Sequence, residues 1–272
     1  MVTRLAMPGD IGAGGALVTL ALFACLAIWS GMTDTHIVDT RAIAYRHTPG
    51  NGPAVVFLPG YMSDMAGGKA TAVFDACAQQ GRECLLFDYS GCGESEGDFA
   101  DGSLSQWKRE VLALVEAQVA SERVVLVGSS MGGWLMLLAG LQLGDRLAGL
   151  VGIASAPDFS DWGYDAMQKA KLHAGETIYE DSDYGYDPMP THARFWRDAE
   201  ENRLLEDAIS LPCPVRLLHG QDDRDVPPET SLRLANALAS EDVQVTLVKG
   251  GDHRLSRDAD IALLLRTVEA MT

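Results

Sequence analysis

Val124-Val125-Leu126-Val127-Gly128-Ser129-Ser130-Met131-Gly132-Gly133-Trp134-Leu135-Met136-Leu137 is the stretch on which the reading of this chain turns. Val124–Val127 is a short apolar run of strand type, and the apolar segment from Met131 to Leu143 has helical length. Between them lies Gly128-Ser129-Ser130-Met131-Gly132, a Gly-x-Ser-x-Gly elbow in its required strand–turn–helix context. The physical reason for the glycines is steric. The turn is so tight that the residues two before and two after the serine must be nearly free of side chain. The serine then sits strained at the strand tip with its hydroxyl exposed, against a helix N-terminus that favours developing negative charge. Ser130 in the central position puts Gly128 and Gly132 at the tight sites, whereas Ser129 would put Val127 and Met131 there. Ser130 is therefore the candidate nucleophile. A glycine-rich turn without chemistry is the simpler reading only outside this context.

Short apolar runs alternate with helical patterns on both sides of the elbow. Val55–Leu58, Cys84–Phe87, Leu147–Ile153, Val215–Leu218 and Val243–Val248 read as strands. Gly67–Gln80, Leu104–Val119, Pro228–Leu238 and Ala259–Ala270 read as helices. Such alternation predicts an α/β fold, a doubly wound and mostly parallel sheet covered on both faces. Residues 158–210 break the alternation. They carry Trp162, Tyr164, Met167, Tyr179, Tyr184, Tyr186, Phe195 and Trp196 among many charges and no buried strand run. They are expected to form a helical cap inserted after the strand ending near Ile153, at the end of the sheet where ligands bind.

A serine hydroxyl needs a base to take its proton, and the base needs an acid to fix its tautomer. In the elbow architecture these follow in the order Ser, Asp/Glu, His. His173 and His192 lie in the insertion, and His219 ends a strand beside Gly220, where it supports a turn. His253 follows the last strand through Gly250-Gly251-Asp252 and is the candidate base. The loop after Val215–Leu218 offers Asp222, Asp223 and Asp225, with Asp223 the preferred acid and the other two as fallbacks. Two N–H donors for an oxyanion are expected from Met131, directly after the nucleophile, and from Tyr61 in Leu58-Pro59-Gly60-Tyr61, with Met62 as fallback.

The bulk properties bound the function classes. The chain has 272 residues, 38 acidic against 21 basic side chains and a formal net charge of −17. That field repels phosphate backbones and argues against nucleic-acid partners. Five cysteines without a Cys-x-x-Cys pair point to neither zinc nor a disulfide framework, and to reduced thiols in an intracellular, cytoplasmic protein. No metal or organic cofactor is required by the expected chemistry. Residues 11–33 lack charge, and Ala16–Trp29 is nearly all apolar. The segment 1–33 is thus either a membrane anchor, with membrane association through residues 11–29, or sequence preceding a true start at Met32, with a cleaved signal behind both. Residues 34–272 form the expected catalytic domain.

Four blocks carry a resemblance. They are Phe87-Asp88-Tyr89-Ser90-Gly91-x-Gly93-x-Ser95, Val127 to Leu137, Cys213-Pro214-Val215-Arg216-Leu217-Leu218-His219-Gly220, and Asp252-His253-Arg254. Over residues 36–272 the chain resembles the α/β-hydrolase superfamily. More narrowly it resembles the mitochondrial palmitoyl-protein thioesterase and acyl-glucuronide esterase branch, α/β-hydrolase domain-containing protein ten, with its bacterial relatives. The His-Gly-x-x-Asp-x-x-Val-Pro pattern of that superfamily falls on His219 to Val226-Pro227 and selects Asp223. The resemblance implies a serine hydrolase of thioesters and esters, S-palmitoyl cysteine included, with Ser130, Asp223 and His253 as its triad. Its substrate would be a small molecule or an acylated protein. A general carboxylesterase on small esters and a non-catalytic ligand receptor on the same fold are the competing readings. A serine in place of aspartate at position 130 argues against dehalogenase and epoxide-hydrolase chemistry.

Overall fold

The computed structural model describes residues 32–181 and 188–272. Residues 11–29, Tyr184 and Tyr186, each singled out above, lie outside the described residues. Among the described residues ten strands are present: β1 (Asp34–Val38), β2 (Arg41–Thr48), β3 (Asn51–Leu58), β4 (Arg82–Phe87), β5 (Val124–Ser129), β6 (Leu147–Ile153), β7 (Ile178–Glu180), β8 (Met189–Thr191), β9 (Val215–Gly220) and β10 (Val243–Val248). The helices are α1 (Gly68–Gln79), α2 (Leu104–Gln118), α3 (Met131–Leu143), α4 (Phe159–Trp162), α5 (Ala166–Ala174), α6 (Ala193–Glu201), α7 (Glu229–Ala237) and α8 (Asp258–Ala270). Eight strands make one sheet in the order β1-β2-β4-β3-β5-β6-β9-β10. From β4 to β10 every neighbouring pair is parallel, while β1–β2 and β2–β4 are antiparallel.

The central strands show why continuous apolar runs were needed. Side chains alternate across a strand, and here both faces are covered. Ala54, Val56 and Leu58 of β3 join one core layer with Leu104, Trp107 and Val111 of α2 and Trp134 and Leu135 of α3. Val55 and Phe57 point to the other layer, with Val73 and Phe74 of α1 and Leu264 and Val268 of α8. Helix α3 is buried from Met131 to Gly140, as its lack of any polar face requires.

The antiparallel pair β1–β2 is absent from the sequence reading. β2 reads Arg-Ala-Ile-Ala-Tyr-Arg-His-Thr and is buried only at Ile43, Ala44 and Thr48, so it has neither a continuous run nor a clean alternation. What fastens it is polar. The Glu83 carboxylate, 1% exposed, accepts from His47 Nε2 at 3.0 Å and from the backbone N–H groups of Ala120 and Ser121 at 2.8 Å each.

The insertion between β6 and β9 also differs from expectation. Besides α4, α5 and α6 it holds β7 and β8, three residues each, paired antiparallel. Its base is closed by Asp158, whose two carboxylate oxygens accept from Leu204 N and Leu205 N at 2.8 Å each. Inside, Trp196 Nε1 donates to Ser160 O at 2.9 Å, and the Tyr164 and Thr191 hydroxyls meet at 2.9 Å. Among the described residues no helix is long and apolar enough to cross a membrane.

Burial pushes the Glu83 carboxyl up, but hydrogen bonds from Ser121, Ala120 and His47 outweigh it and leave the group below its ordinary value. A depressed carboxyl stabilises the fold above its unfolded value, and that contribution is lost as pH falls through the folded one. Glu83→Gln is therefore expected to cost about 2 kcal/mol near neutral pH in urea unfolding. The gap to wild type should close as pH is lowered from about 6 to about 3. A gap that stays constant over that range contradicts the assignment.

Candidate active site

Ser130 sits between β5 and α3 with φ 55° and ψ −119°, a conformation that a side-chain-bearing residue adopts only under constraint. The constraints are visible. Its N–H donates to Ile153 O at 2.9 Å and its carbonyl accepts from Ala156 N at 3.1 Å, so the end of β6 holds both sides of the turn. A Cβ on Gly128 would stand 2.4 Å from Gly132 O, and one on Gly132 would stand 2.1 Å from Leu58 O. Both glycines predicted for the tight sites leave no room for a side chain, and Ser130 occupies the elbow.

The other two expected groups arrive from the ends of β9 and β10. Those loops meet backbone to backbone. A Cβ on Gly220 would lie 2.3 Å from Gly251 O, and Asp222 N donates to Gly251 O at 2.8 Å. The close approach places His253 Nδ1 2.9 Å from Asp223 Oδ2 and His253 Nε2 3.1 Å from Ser130 Oγ. Asp223 Oδ1 accepts from Asp225 N at 3.0 Å and Val226 N at 2.8 Å. The structure thus brings Ser130, His253 and Asp223 into one chain of hydrogen bonds. Of the fallback acids, Asp222 makes no such contact with the histidine. Asp225 brings its carboxylate within 4.8 Å of the Asp223 and His253 ligand atoms. Those three side chains are a potential metal-ligand cluster, but both ring nitrogens of His253 are already engaged, an arrangement suited to proton transfer.

Electrostatics follow from the same contacts. Burial raises the Asp223 carboxyl. Hydrogen bonding from His219 and His253, the charge of His253 and the Val226 N–H overcome it and hold the group well below the usual carboxylate range. Asp223 is therefore an anion across ordinary pH. His219 Nε2 lies 3.1 Å from Asp223 Oδ2, a contact the sequence reading missed when it gave His219 only a turn. The signal was the spacing of four residues across Gly220.

The expected oxyanion donors lie on opposite sides of the nucleophile. Met131 is the first residue of α3, so its N–H has no partner within the helix. Gly60 precedes Tyr61, and a Cβ on Gly60 would be 3.4 Å from Ser130 Cβ, so the loop after β3 passes directly beside the serine. The Tyr61 side chain does something else. Its hydroxyl donates to Pro190 O in the insertion at 2.9 Å, and its ring packs 4.9 Å from those of Phe99 and Phe195. Met62 follows with φ 53° and its side chain exposed.

Two further groups shape the site's rim. Asp88 accepts from Met65 N at 2.7 Å and Glu94 N at 2.8 Å, which joins the loop after β3 to the loop after β4. A Cβ on Gly93 would collide with this carboxylate at 2.1 Å, which explains the Asp-to-Gly spacing in the first resemblance block. On the other side, Lys69 Nζ donates to Arg254 O and so ties α1 to the loop that carries His253. Burial, with Arg254 beside it, lowers this ammonium to about 8. A cleft of about 430 Å³ opens there, bounded by Gly60, Ser63, Lys69, Ser129 and Arg254.

The description of the alpha/beta hydrolase family matches residues 55–262. The chain belongs to that family and is a hydrolase. It is 40% identical over 233 residues to palmitoyl-protein thioesterase ABHD10, mitochondrial, of Mus musculus, covering 84% of this chain and 77% of that protein. The Homo sapiens protein of the same name is 36% identical over 237 residues, covering 85% and 76%. The structure of alpha/beta hydrolase domain-containing protein 10 from mouse superposes with a TM-score of 0.81 at 36% identity, covering 89% of this chain and 98% of that one.

Gly132→Ala is expected to lower stability by at least about 2 kcal/mol, since the new methyl meets backbone oxygen that cannot step aside. It should abolish hydrolysis in whatever folds. Gly68→Ala, whose Cβ would meet nothing within 4 Å, should change stability by less than about 1 kcal/mol. Thermal unfolding of the two variants makes the comparison, and equal effects refute the steric account of the elbow.

Proposed function

We propose that this hydrolase cleaves acyl thioesters and esters through a Ser130–His253–Asp223 triad and a covalent acyl-enzyme. The observation that carries the proposal is the position of His253. Its Nε2 is 3.1 Å from the strained Ser130 hydroxyl while Nδ1 is held by an ionised, buried Asp223 at 2.9 Å. Nδ1 faces a carboxylate and therefore carries the hydrogen, which leaves Nε2 with a lone pair aimed at the serine.

In the proposed reaction Ser130 Oγ attacks the acyl carbonyl as Nε2 takes its proton. Negative charge develops on the carbonyl oxygen and is received by the Met131 and Tyr61 N–H groups. Collapse of the intermediate breaks the bond to sulfur or oxygen, and the thiol or alcohol leaves with the proton from Nε2. Water then attacks the acyl-serine, His253 again taking and returning a proton, and a carboxylic acid is released.

The thioester preference rests on the likeness to proteins named palmitoyl-protein thioesterase. The apolar surroundings are compatible with an acyl chain. Tyr61, Phe159 and Phe195 cluster at the base of the insertion, and Met62 and Met189 are exposed. A chain-length series of matched acyl thioesters and oxyesters tests it. Higher kcat/KM for long-chain thioesters is expected. Equal rates on short oxyesters would replace the thioesterase reading with a general carboxylesterase.

Ser130→Ala should lose at least about 10⁴-fold in kcat and all labelling by a fluorophosphonate probe. Failure of folded wild type to label would refute the triad. Activity should fall as pH drops from about 8 to about 5, because an imidazolium cannot accept the serine proton. A flat profile over that range contradicts the role of His253.

A further inference from the structure

Leu255, two residues after His253, has a left-handed backbone with φ 43°. Its side chain is buried in the core layer that α1 and α8 share with β3. A leucine takes such a φ only under constraint. The constraint falls on one peptide group, the one that joins Arg254 to Leu255. Its N–H donates to Asp252 Oδ1 at 3.0 Å. Its carbonyl accepts from Lys69 Nζ. Both polar ends of that peptide are therefore held, one by the loop itself and the other by a side chain from the first turn of α1.

A peptide flip is the motion this clamp opposes. Turning the group over changes ψ of Arg254 and φ of Leu255 together by roughly half a turn, and carries Leu255 from the left-handed region to the extended one that leucine prefers. The carbonyl would have to leave Lys69 and the N–H would have to leave Asp252. Ahead of the histidine the loop is anchored separately. Asp222 N donates to Gly251 O at 2.8 Å, and Arg257 Nη1 donates to Gly250 O at 2.9 Å. His253 lies between those anchors and the clamped peptide.

We propose that Lys69 is a positioning residue for the base, locking the Arg254–Leu255 peptide against flipping and so keeping His253 Nε2 within reach of Ser130. This rests on the triad reading above. Lys69 also joins two parts of the site. Helix α1 starts directly after the segment that contains Gly60 and Tyr61. The same bond thus sets the loop of the base against the loop expected to receive the oxyanion. The lysine stands where its charge is disfavoured. Burial and the nearby Arg254 lower the ammonium, and the charges of Asp252 and Asp260 do not make up the difference. Among the described residues its hydrogen bond goes to a neutral carbonyl and to neither carboxylate. A lysine so placed is explained by what it holds, not by stability gained. The bond outlasts loss of the charge, because a neutral amine still donates. The effect is one of backbone position and not of titration.

The test compares Lys69→Met, which keeps the apolar stem and loses the donor, with Lys69→Arg, which keeps a donor. Both are made in the full-length protein and assayed with an acyl thioester. In Lys69→Met kcat is expected to fall at least about 10-fold with KM within about 2-fold of wild type, since a misplaced base slows the reaction without weakening binding. Labelling of Ser130 by the fluorophosphonate probe should slow by a similar factor. Lys69→Arg should recover kcat to within about 3-fold of wild type. A residue that only braces the fold would lower the Tm of Lys69→Met and leave kcat per folded molecule unchanged, and that result overturns the proposal. A raised KM at unchanged kcat overturns it too, because the side chain then contacts substrate in the adjoining cleft. So does an arginine variant as slow as the methionine one. One reading needs no variant to fold. In wild type the Leu255 N–H should exchange with solvent at least about 100-fold more slowly than in an unfolded chain, and unprotected exchange overturns the clamp. Loss of the triad reading would show separately, as activity and probe labelling that survive Ser130→Ala.

Discussion

A serine held at φ 55° between a strand and a helix is the constraint on which the rest of this molecule depends. Left to itself the residue would relax into an ordinary turn and withdraw its hydroxyl. It is kept there by backbone packed against backbone, with Gly128 against Gly132 and Gly132 against Leu58, and by hydrogen bonds on both sides to the end of β6. Three neighbouring strands of the sheet thus converge on one residue. Strain of a few kcal/mol is sustained only because the surrounding core layers over-determine the position, and those layers are what the apolar strands and α3 build.

Charge at the site is managed the same way, by local saturation. A chain of net charge −17 offers no general stabilisation to another buried anion, yet Asp223 remains ionised. Backbone donors from its own loop satisfy one oxygen and two imidazoles crowd the other. The meeting of Gly220 and Gly251 makes this compact arrangement possible, because any side chain at Gly220 would separate the loops that bring acid and base together.

What the sequence disclosed follows from the range of the forces involved. The elbow is a steric problem solved within five residues, so Ser130 and its flanking glycines were legible directly. The parallel strands were legible because burial on both faces demands unbroken apolar runs. Strands β1 and β2 were not, since Arg41, Arg46 and His47 interrupt the pattern and a buried ionised Glu83, remote in sequence, supplies the fastening. The same limit hid β7 and β8, whose three-residue ladders carry no period. It also hid the contact of His219 with Asp223, because a histidine before a glycine turn looks the same whether it faces a carbonyl or a carboxylate. The order Ser, Asp, His along the chain could place the acid in a loop but could not choose among three aspartates. That choice needed either the family pattern or the two N–H groups that receive Asp223 Oδ1.

Chemistry and selectivity are often separable in such architectures, one residing in the sheet and the other in an insertion. Here Tyr61 joins them. Its backbone lies in the loop beside Ser130, next to Gly60, while its hydroxyl binds Pro190 of the insertion and its ring packs on Phe99 and Phe195. Burial pushes the phenol upward from its ordinary value, so it remains a neutral donor and the bond to Pro190 does not titrate away in the working range. A displacement of α6 or β8 by a bulky acyl group would therefore be felt through Tyr61 at the very backbone segment expected to receive the oxyanion. In the proposed reaction, with the Tyr61 N–H receiving the oxyanion, substrate fit and transition-state stabilisation would meet at one residue, and the insertion would act on the reaction as well as on what may enter.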